Sequence, residues 1–392
     1  MRKPALFLAA MLALFSSHHA GAADVRGGAK AISLIPSICQ APCIDYAINA
    51  ELEDDGIFAT SPSSLTSNNL EPTLESEISI APVDHLRFVS KLTLEQVVDP
   101  EPGQSEAFRH IGGLVEQLYV EYDDGPWMLQ AGKIHPAFGR GWDSPPGLHA
   151  TDIPGNYELD ERIGAGGAYG FNLGEFEHEV QASVFTIDRT VLSDSLFTNR
   201  GRTRLSAGGA GNTRGLSSVA LSLDGCLGAA PVDCYDDGDF GYQLAGLYQR
   251  AGKGDANDEL GFVASVNKGM TFDTKIVRLI GEAAYFRNFE GSSDDALFLT
   301  ASGELEIDQM TYSLAYTLQQ NLPSSGPDTS EQLVDLTASY QLGNSFSLAG
   351  EEWAVGLGYA FDRNDAEDTH TITLLFAVDF NGTIRLGGAA AP

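Results

Sequence analysis

The sequence predicts an all-β protein, a closed antiparallel barrel that crosses a membrane with its strands. Three observations predict it. The N-terminus has the order of an export signal, no later run is apolar and long enough for a membrane helix, and period-two alternation recurs through the remainder with alternately short and long connections.

Arg2 and Lys3 supply a short positive stretch, Pro4 to Phe15 is nearly all apolar, and Ala20-Gly21-Ala22 offers small residues in an A-x-A arrangement. That order marks residues 1–22 as a secretory signal peptide, with the barrel in 23–392. The apolar run is too short to span a bilayer as a helix, which needs roughly 20 residues. With helical spans excluded, a closed barrel is the remaining way to satisfy every backbone polar group in lipid. The alternative at this point is a secreted soluble protein.

Losing Arg2 and Lys3 takes the formal charge from −31 to −33. Such a chain is a poor partner for nucleic acid. Acidity does not oppose a barrel, because half of each strand and all the loops can be polar.

The alternation is plain in several segments. Tyr46, Ile48, Ala50 and Leu52 share one face, and Leu74, Ser76, Ile78 and Ile80 another. Near the C-terminus, Met310, Tyr312, Leu314, Tyr316 and Leu318 alternate with Thr311, Ser313, Thr317 and Gln319. Ile372, Leu374, Phe376, Val378 and Phe380 oppose Thr371, Thr373 and Asp379. The pattern predicts about 16 strands, in keeping with the even strand number of bacterial barrels. Short connections, expected on the periplasmic side, fall at 81–84, 123–126, 172–175, 270–275 and 308–309. Long ones, expected outside, fall at 54–72, 96–113, 136–160 and 189–215, with 288–295, 320–330 and 362–368 later. Two connections, 224–239 and 343–352, are longer than the rule allows. A soluble sandwich has no reason to alternate its connections, nor to place Tyr122, Trp127, Tyr285, Trp353, Tyr359 and Phe380 at strand ends, as an aromatic girdle does.

The stretch Glu116–Gly139, EQLYVEYDDGPWMLQAGKIHPAFG, resembles the paired strands of Gram-negative outer-membrane porins of the general and phosphate-selective-like kinds. In those barrels a strand, a tight turn and a strand ending in a G-K-x-x-P-x-F-G-like run lead into a long loop. The segment Tyr157-Glu158-Leu159-Asp160-Glu161-Arg162-Ile163-Gly164 is similar to them too. The resemblance implies a bacterial outer-membrane channel for small polar solutes or ions, a homotrimer, and contact with lipid and lipopolysaccharide. It also implies an aromatic C-terminal residue, whereas here the last alternating run stops at Phe380 and 381–392 reads as a Gly/Ala-rich tail.

In a channel, selectivity comes from pore width and from the charges that line it. Loop 136–160 is the candidate constriction, because it mixes Arg140, Trp142, Asp143, His149 and Asp152 with Gly and Pro; the alternative is a surface cap. Strand parity nominates Glu121, Arg278, Glu282, Glu304, Glu306 and Asp335 as lumen-facing. A charge facing lipid at mid-membrane costs about 2–4 kcal/mol for Arg or Lys, which directs such residues inward. The acidic excess predicts a cation-preferring pore. A substrate-specific uptake channel and a structural or enzymatic barrel are the alternatives.

Four cysteines, Cys39, Cys43, Cys226 and Cys234, suit sequence-local disulfides after export, Cys39–Cys43 and Cys226–Cys234. No His lies near the C-x3-C spacing, so no metal is expected. No cofactor is expected, and no enzyme either, since G-x-S-x-G, H-E-x-x-H and phosphate-loop motifs are missing. Gly164–Gly170 is glycine-rich, yet no helical pattern follows it, as a strand under crowding would have it.

Overall fold

A computed structural model describes residues 41–61, 65–342, 351–365 and 367–386. The expected signal peptide, Cys39, and most of the second irregular connection lie outside the described residues.

Sixteen long strands build the wall. They are β1 (Cys43–Thr60), β2 (Ser67–Val83), β3 (Leu86–Gln96), β4 (Ile111–Asp124), β5 (Trp127–Ile134), β6 (Arg162–Leu173), β7 (Phe176–Ile187) and β8 (Ser218–Leu227). Then come β9 (Phe240–Gln249), β10 (Glu259–Phe272), β11 (Lys275–Arg287), β12 (Asp295–Ile307), β13 (Met310–Leu322), β14 (Thr329–Gln341), β15 (Glu352–Asn364) and β16 (Glu367–Arg385). Two further pieces, Glu106–Ala107 and Leu196–Phe197, add two-residue pairings from the loops.

Each strand pairs antiparallel with its neighbour in sequence, and β1 pairs with β16 from Cys43↔Arg385 to Thr60↔Thr369. The sheet is therefore closed on itself, as a chain crossing lipid with strands requires. Side chains alternate as a membrane barrel requires. On β13, Thr311, Ser313, Thr317 and Gln319 are buried, while Tyr312, Leu314 and Tyr316 face out. The outer face carries Tyr122, Trp127, Tyr285 and Phe380 near the strand ends.

Five tight turns share one end. His85, Gly125, Gly174, Asp273 and Asp308 all hold positive φ there, as two-residue hairpins demand. The chain at Cys43 and Arg385 lies at that same end.

The structure corrects several boundaries. The first long loop is short, because β1 and β2 pair without interruption from Cys43↔Ala81 to Ile57↔Ser67. The acidic run Glu53-Asp54-Asp55 reads as a loop in sequence, yet in a barrel a carboxylate can face a polar interior from within a strand. The connection expected at 362–368 is tight as well, between Asn364 and Glu367. The expected tail begins later than Asn381: β16 continues to Arg385, held to β1 by the Thr383 hydroxyl, which donates to Asp45 Oδ1 at 2.5 Å. Connection 224–239 is long, because residues 228–239 form a short 3-10 and α-turn closed by a Cys226–Cys234 disulfide.

Candidate functional site

Strand β5 is short. It stays paired with β4 only from Asp124↔Trp127 to Leu118↔Lys133. At Gly132 the backbone has φ 143°, and a Cβ there would stand 2.3 Å from the Leu118 carbonyl oxygen, so the exit of the chain depends on glycine. Beyond Ile134 the chain leaves the wall, and it rejoins at Arg162, opposite Ile134. The gap beside the upper part of β4 is filled by the next long loop, whose Leu196 and Phe197 pair with Gly113 and Gly112.

Every residue from Lys133 to Thr151 is buried, and the contacts show where the loop goes. It runs against the inner face of the wall from β8 to β16. The Arg140 and Gly141 backbone N–H groups donate to the two carboxylate oxygens of Glu282 on β11, at 2.6 and 2.9 Å. The Tyr157 hydroxyl donates to the same carboxylate. The Arg140 guanidinium donates to Asp224 Oδ1 of β8 at 2.7 Å and to the Pro231 carbonyl at 3.2 Å. Pro231 lies in the disulfide-closed turn, and Cys234 of that turn accepts the Asn267 side-chain N–H at its carbonyl. Loop and turn thus meet inside the barrel through one side chain.

Further along, the Leu148 N–H donates to Thr337 Oγ1 at 3.2 Å, and the His149 N–H donates to Asp335 Oδ2 at 2.5 Å, both on β14. His149 Nδ1 lies 3.2 Å from Asp152 Oδ2, and Nε2 lies 2.7 Å from Thr373 Oγ1 on β16. Burial alone would lower the His149 pKa. The hydrogen bond and charge of Asp152, with Asp55 and Asp335 nearby, raise it to about 9. The imidazole is therefore a cation at neutral pH, and both ring nitrogens donate. Burial pushes the Asp152 carboxyl up, against the opposing pull of His149. A 3-10 turn, Pro154–Tyr157, with proline early in the turn, returns the chain towards β6. Tyr157 packs edge-on to Phe138 and Phe298 in an aromatic cluster with Phe286.

Glu121, Arg278, Glu282, Glu304 and Asp335 are buried, and Glu306 is half-buried. They do not form one site. Arg278 is held by Glu304, with Glu306 at 3.4 Å, near the tight-turn end. Glu121 pairs with Arg87 at 2.6 Å on the opposite wall. Glu282 and Asp335 are spent on seating the loop. Of the loop residues, Arg140, Asp143 and His149 are buried, and Asp152 is partly exposed.

An acidic wall on β1 and β2 is the main feature not nominated from sequence. Glu51, Glu53, Glu75 and Glu77 are buried on its inner face, and Glu95 continues it on β3. Lys91 bridges Glu75 and Glu116 at 2.9 and 3.0 Å. The signal was present: Glu75 and Glu77 fall opposite the apolar face of Leu74, Ile78 and Ile80.

A closed sixteen-strand antiparallel barrel with a long loop folded inward is the architecture of Gram-negative outer-membrane porins, and this chain has that fold. Among solved structures it is similar to the outer membrane channel DcaP of Acinetobacter baumannii, with TM-score 0.51, 12% identity, and coverage of 87% of this chain and 99% of DcaP. It is also similar to the outer membrane protein opdK from Pseudomonas aeruginosa, with TM-score 0.50, 8% identity, and coverage of 86% and 99%. At such identities the likeness is one of fold. No protein-family model matches the chain, and no curated protein matches it by sequence.

Proposed function

We propose that this chain is an outer-membrane porin, a water-filled channel for small polar solutes and ions with a preference for cations. A barrel of this strand number is too wide to fill with its own wall side chains, which supports an open lumen narrowed by a loop. The contacts of residues 138–157 with β8, β11, β14 and β16 support the constriction role of loop 136–160.

One observation carries the cation preference. The interior bases are already matched by acids: Arg87 by Glu121, Lys91 by Glu75 and Glu116, Lys133 by Glu161 and Asp188, Arg140 by Asp224, and Arg278 by Glu304. Among the described residues, Glu51 and Glu53 on the opposite wall have no such base, and each keeps a buried carboxylate oxygen without a hydrogen-bond partner. A lumen with surplus fixed negative charge concentrates cations and repels anions.

The resemblance to porins extends this reading to a homotrimer, with lipid and lipopolysaccharide against the apolar outer face. The test is single-channel current across a planar bilayer in a KCl gradient. Stepwise openings with a cation-biased reversal potential are expected. Anion bias overturns the charge argument, and correctly inserted protein without openings overturns the channel.

A further inference from the structure

At the long-loop end of the barrel a cavity of about 570 Å³ lies between the inward loop, the 188–217 loop and the ends of β3, β9, β10 and β11. Its volume falls in the range of small-molecule sites, roughly 300–1,000 Å³. Its lining combines two chemistries.

The first is unbalanced charge. Arg200 and Arg162 both line the cavity, but Arg200 is held by Glu161, and Arg162 donates to the Asp160 carbonyl at 2.6 Å. Glu95, Glu158, Glu259 and Glu290 also line it, and among the described residues none has a Lys or Arg within 4.0 Å. His135, which faces Glu158 at 3.9 Å, adds no positive charge, because burial lowers its pKa to about 4; burial, with Asp160 and Glu116 nearby, also pushes the Glu158 carboxyl well up, so the negative charge of the cavity rests on the other acids. Beside these acids sits Gln249, which is 5% exposed. Its side-chain N–H donates to Glu259 Oε1 at 2.7 Å, while its carbonyl oxygen is buried with no partner. That oxygen is sealed against Gly211, so Gln249 serves the cavity by orienting the Glu259 carboxylate.

The second is aromatic surface. Phe286 and Phe289 line the cavity with ring centroids 5.2 Å apart, and Tyr157 stands 5.7 Å from Phe286. Ring faces attract cations and bury apolar groups.

We propose that this cavity is a binding site for a small organic ammonium ion with an aromatic or alkyl body. The ammonium meets the Glu259 and Glu290 carboxylates, and the body lies on Phe286 and Phe289. An anion meets repulsion here, and an inorganic cation makes no use of the rings. As an entry site to the pore, the cavity rests on the channel reading; binding itself does not.

The test is calorimetric titration of refolded full-length protein in detergent with phenethylammonium, using ethylammonium and phenylacetate as controls. Phenethylammonium is expected to bind, ethylammonium to bind about tenfold more weakly, and phenylacetate not at all. Glu259→Gln combined with Glu290→Gln, and separately Phe289→Ala, should each weaken binding about tenfold while the melting transition stays within a few degrees of wild type. Absent phenethylammonium binding overturns the site, as does equal binding of phenylacetate, or unchanged binding in both well-folded variants. Bilayer recordings on the same preparation separate the two proposals: open channels without binding reject the site alone, and binding without channels rejects the channel alone.

Discussion

Arg140 and Glu282 are joined through the backbone, not through their charges. The Glu282 carboxylate receives the Arg140 N–H at 2.6 Å, while the Arg140 guanidinium turns away to Asp224 at 2.7 Å. Glu282 therefore acts as a strand-borne cap for the loop. It takes two consecutive N–H groups and the Tyr157 hydroxyl, which no regular structure satisfies at that point.

Glu282→Leu should release the loop. Two buried N–H groups lose their acceptor, at about 1–3 kcal/mol each. The melting temperature is expected to fall, and single-channel current to become larger and noisier. Glu282→Gln keeps one carbonyl oxygen and should lie between Leu and wild type.

Arg140→Ala should act differently. It leaves the backbone caps in place and exposes the Asp224 carboxylate to the interior. Breaking a buried pair costs up to about 3–5 kcal/mol, and less where water can enter. Cation preference, read from the reversal potential in a KCl gradient, should rise. Arg140→Lys should restore most of the charge balance but lose the reach to both Asp224 and Pro231, since a guanidinium offers a fork of donors and an ammonium a single point.

The Cys226–Cys234 disulfide closes the turn that brings the Pro231 carbonyl to Arg140. Replacing both cysteines with alanine should lower stability by about 2–3 kcal/mol on a chain-entropy view of so short a loop. If the turn is one jaw of the narrowing, conductance rises as well, and reductant reproduces the effect in wild type but not in the variant.

Much of this fold was legible in the sequence because barrel physics writes itself residue by residue. Lipid on one side and polar interior on the other force the period of two seen along β13 and β16. The parity that turns Glu121, Arg278, Glu304 and Asp335 inward follows from the same rule. The ends of strands were less legible. Glu53-Asp54-Asp55-Gly56 has loop composition yet continues β1, and Asn381–Arg385 looks like a tail yet pairs with Cys43–Ala47. Local composition cannot reveal a partner strand more than 300 residues away in sequence. The partners of the loop were illegible for that reason too: nothing near Arg140 indicates Asp224 or Glu282.

The acidic wall makes a further prediction. Glu51→Gln with Glu53→Gln and Glu75→Gln removes inward carboxylates without changing side-chain volume. Lys91 keeps Glu116, so a positive charge remains next to the altered patch. Cation preference should drop, with the reversal potential in a KCl gradient moving towards zero. Single-channel conductance in symmetric molar salt, where fixed charges are screened over about 3 Å, should change little. An unchanged reversal potential would place the selectivity determinant elsewhere.

Alkaline pH should loosen the loop through His149. Its folded pKa is about 9 against an ordinary 6.5, so folding or seating the loop favours the protonated form. The stabilisation is fully present below the ordinary value and is lost as pH rises through about 9. Above that pH the neutral ring can donate from only one nitrogen, and the contact to either Asp152 or Thr373 loses its proton. Current noise and mean conductance are expected to rise between neutral pH and about pH 10. His149→Gln keeps a polar side chain with no titration in that window, and its trace should be flat there. A wild-type trace that is equally flat would show that the backbone bonds of Leu148 and His149 to Thr337 and Asp335 hold this part of the loop without the imidazolium.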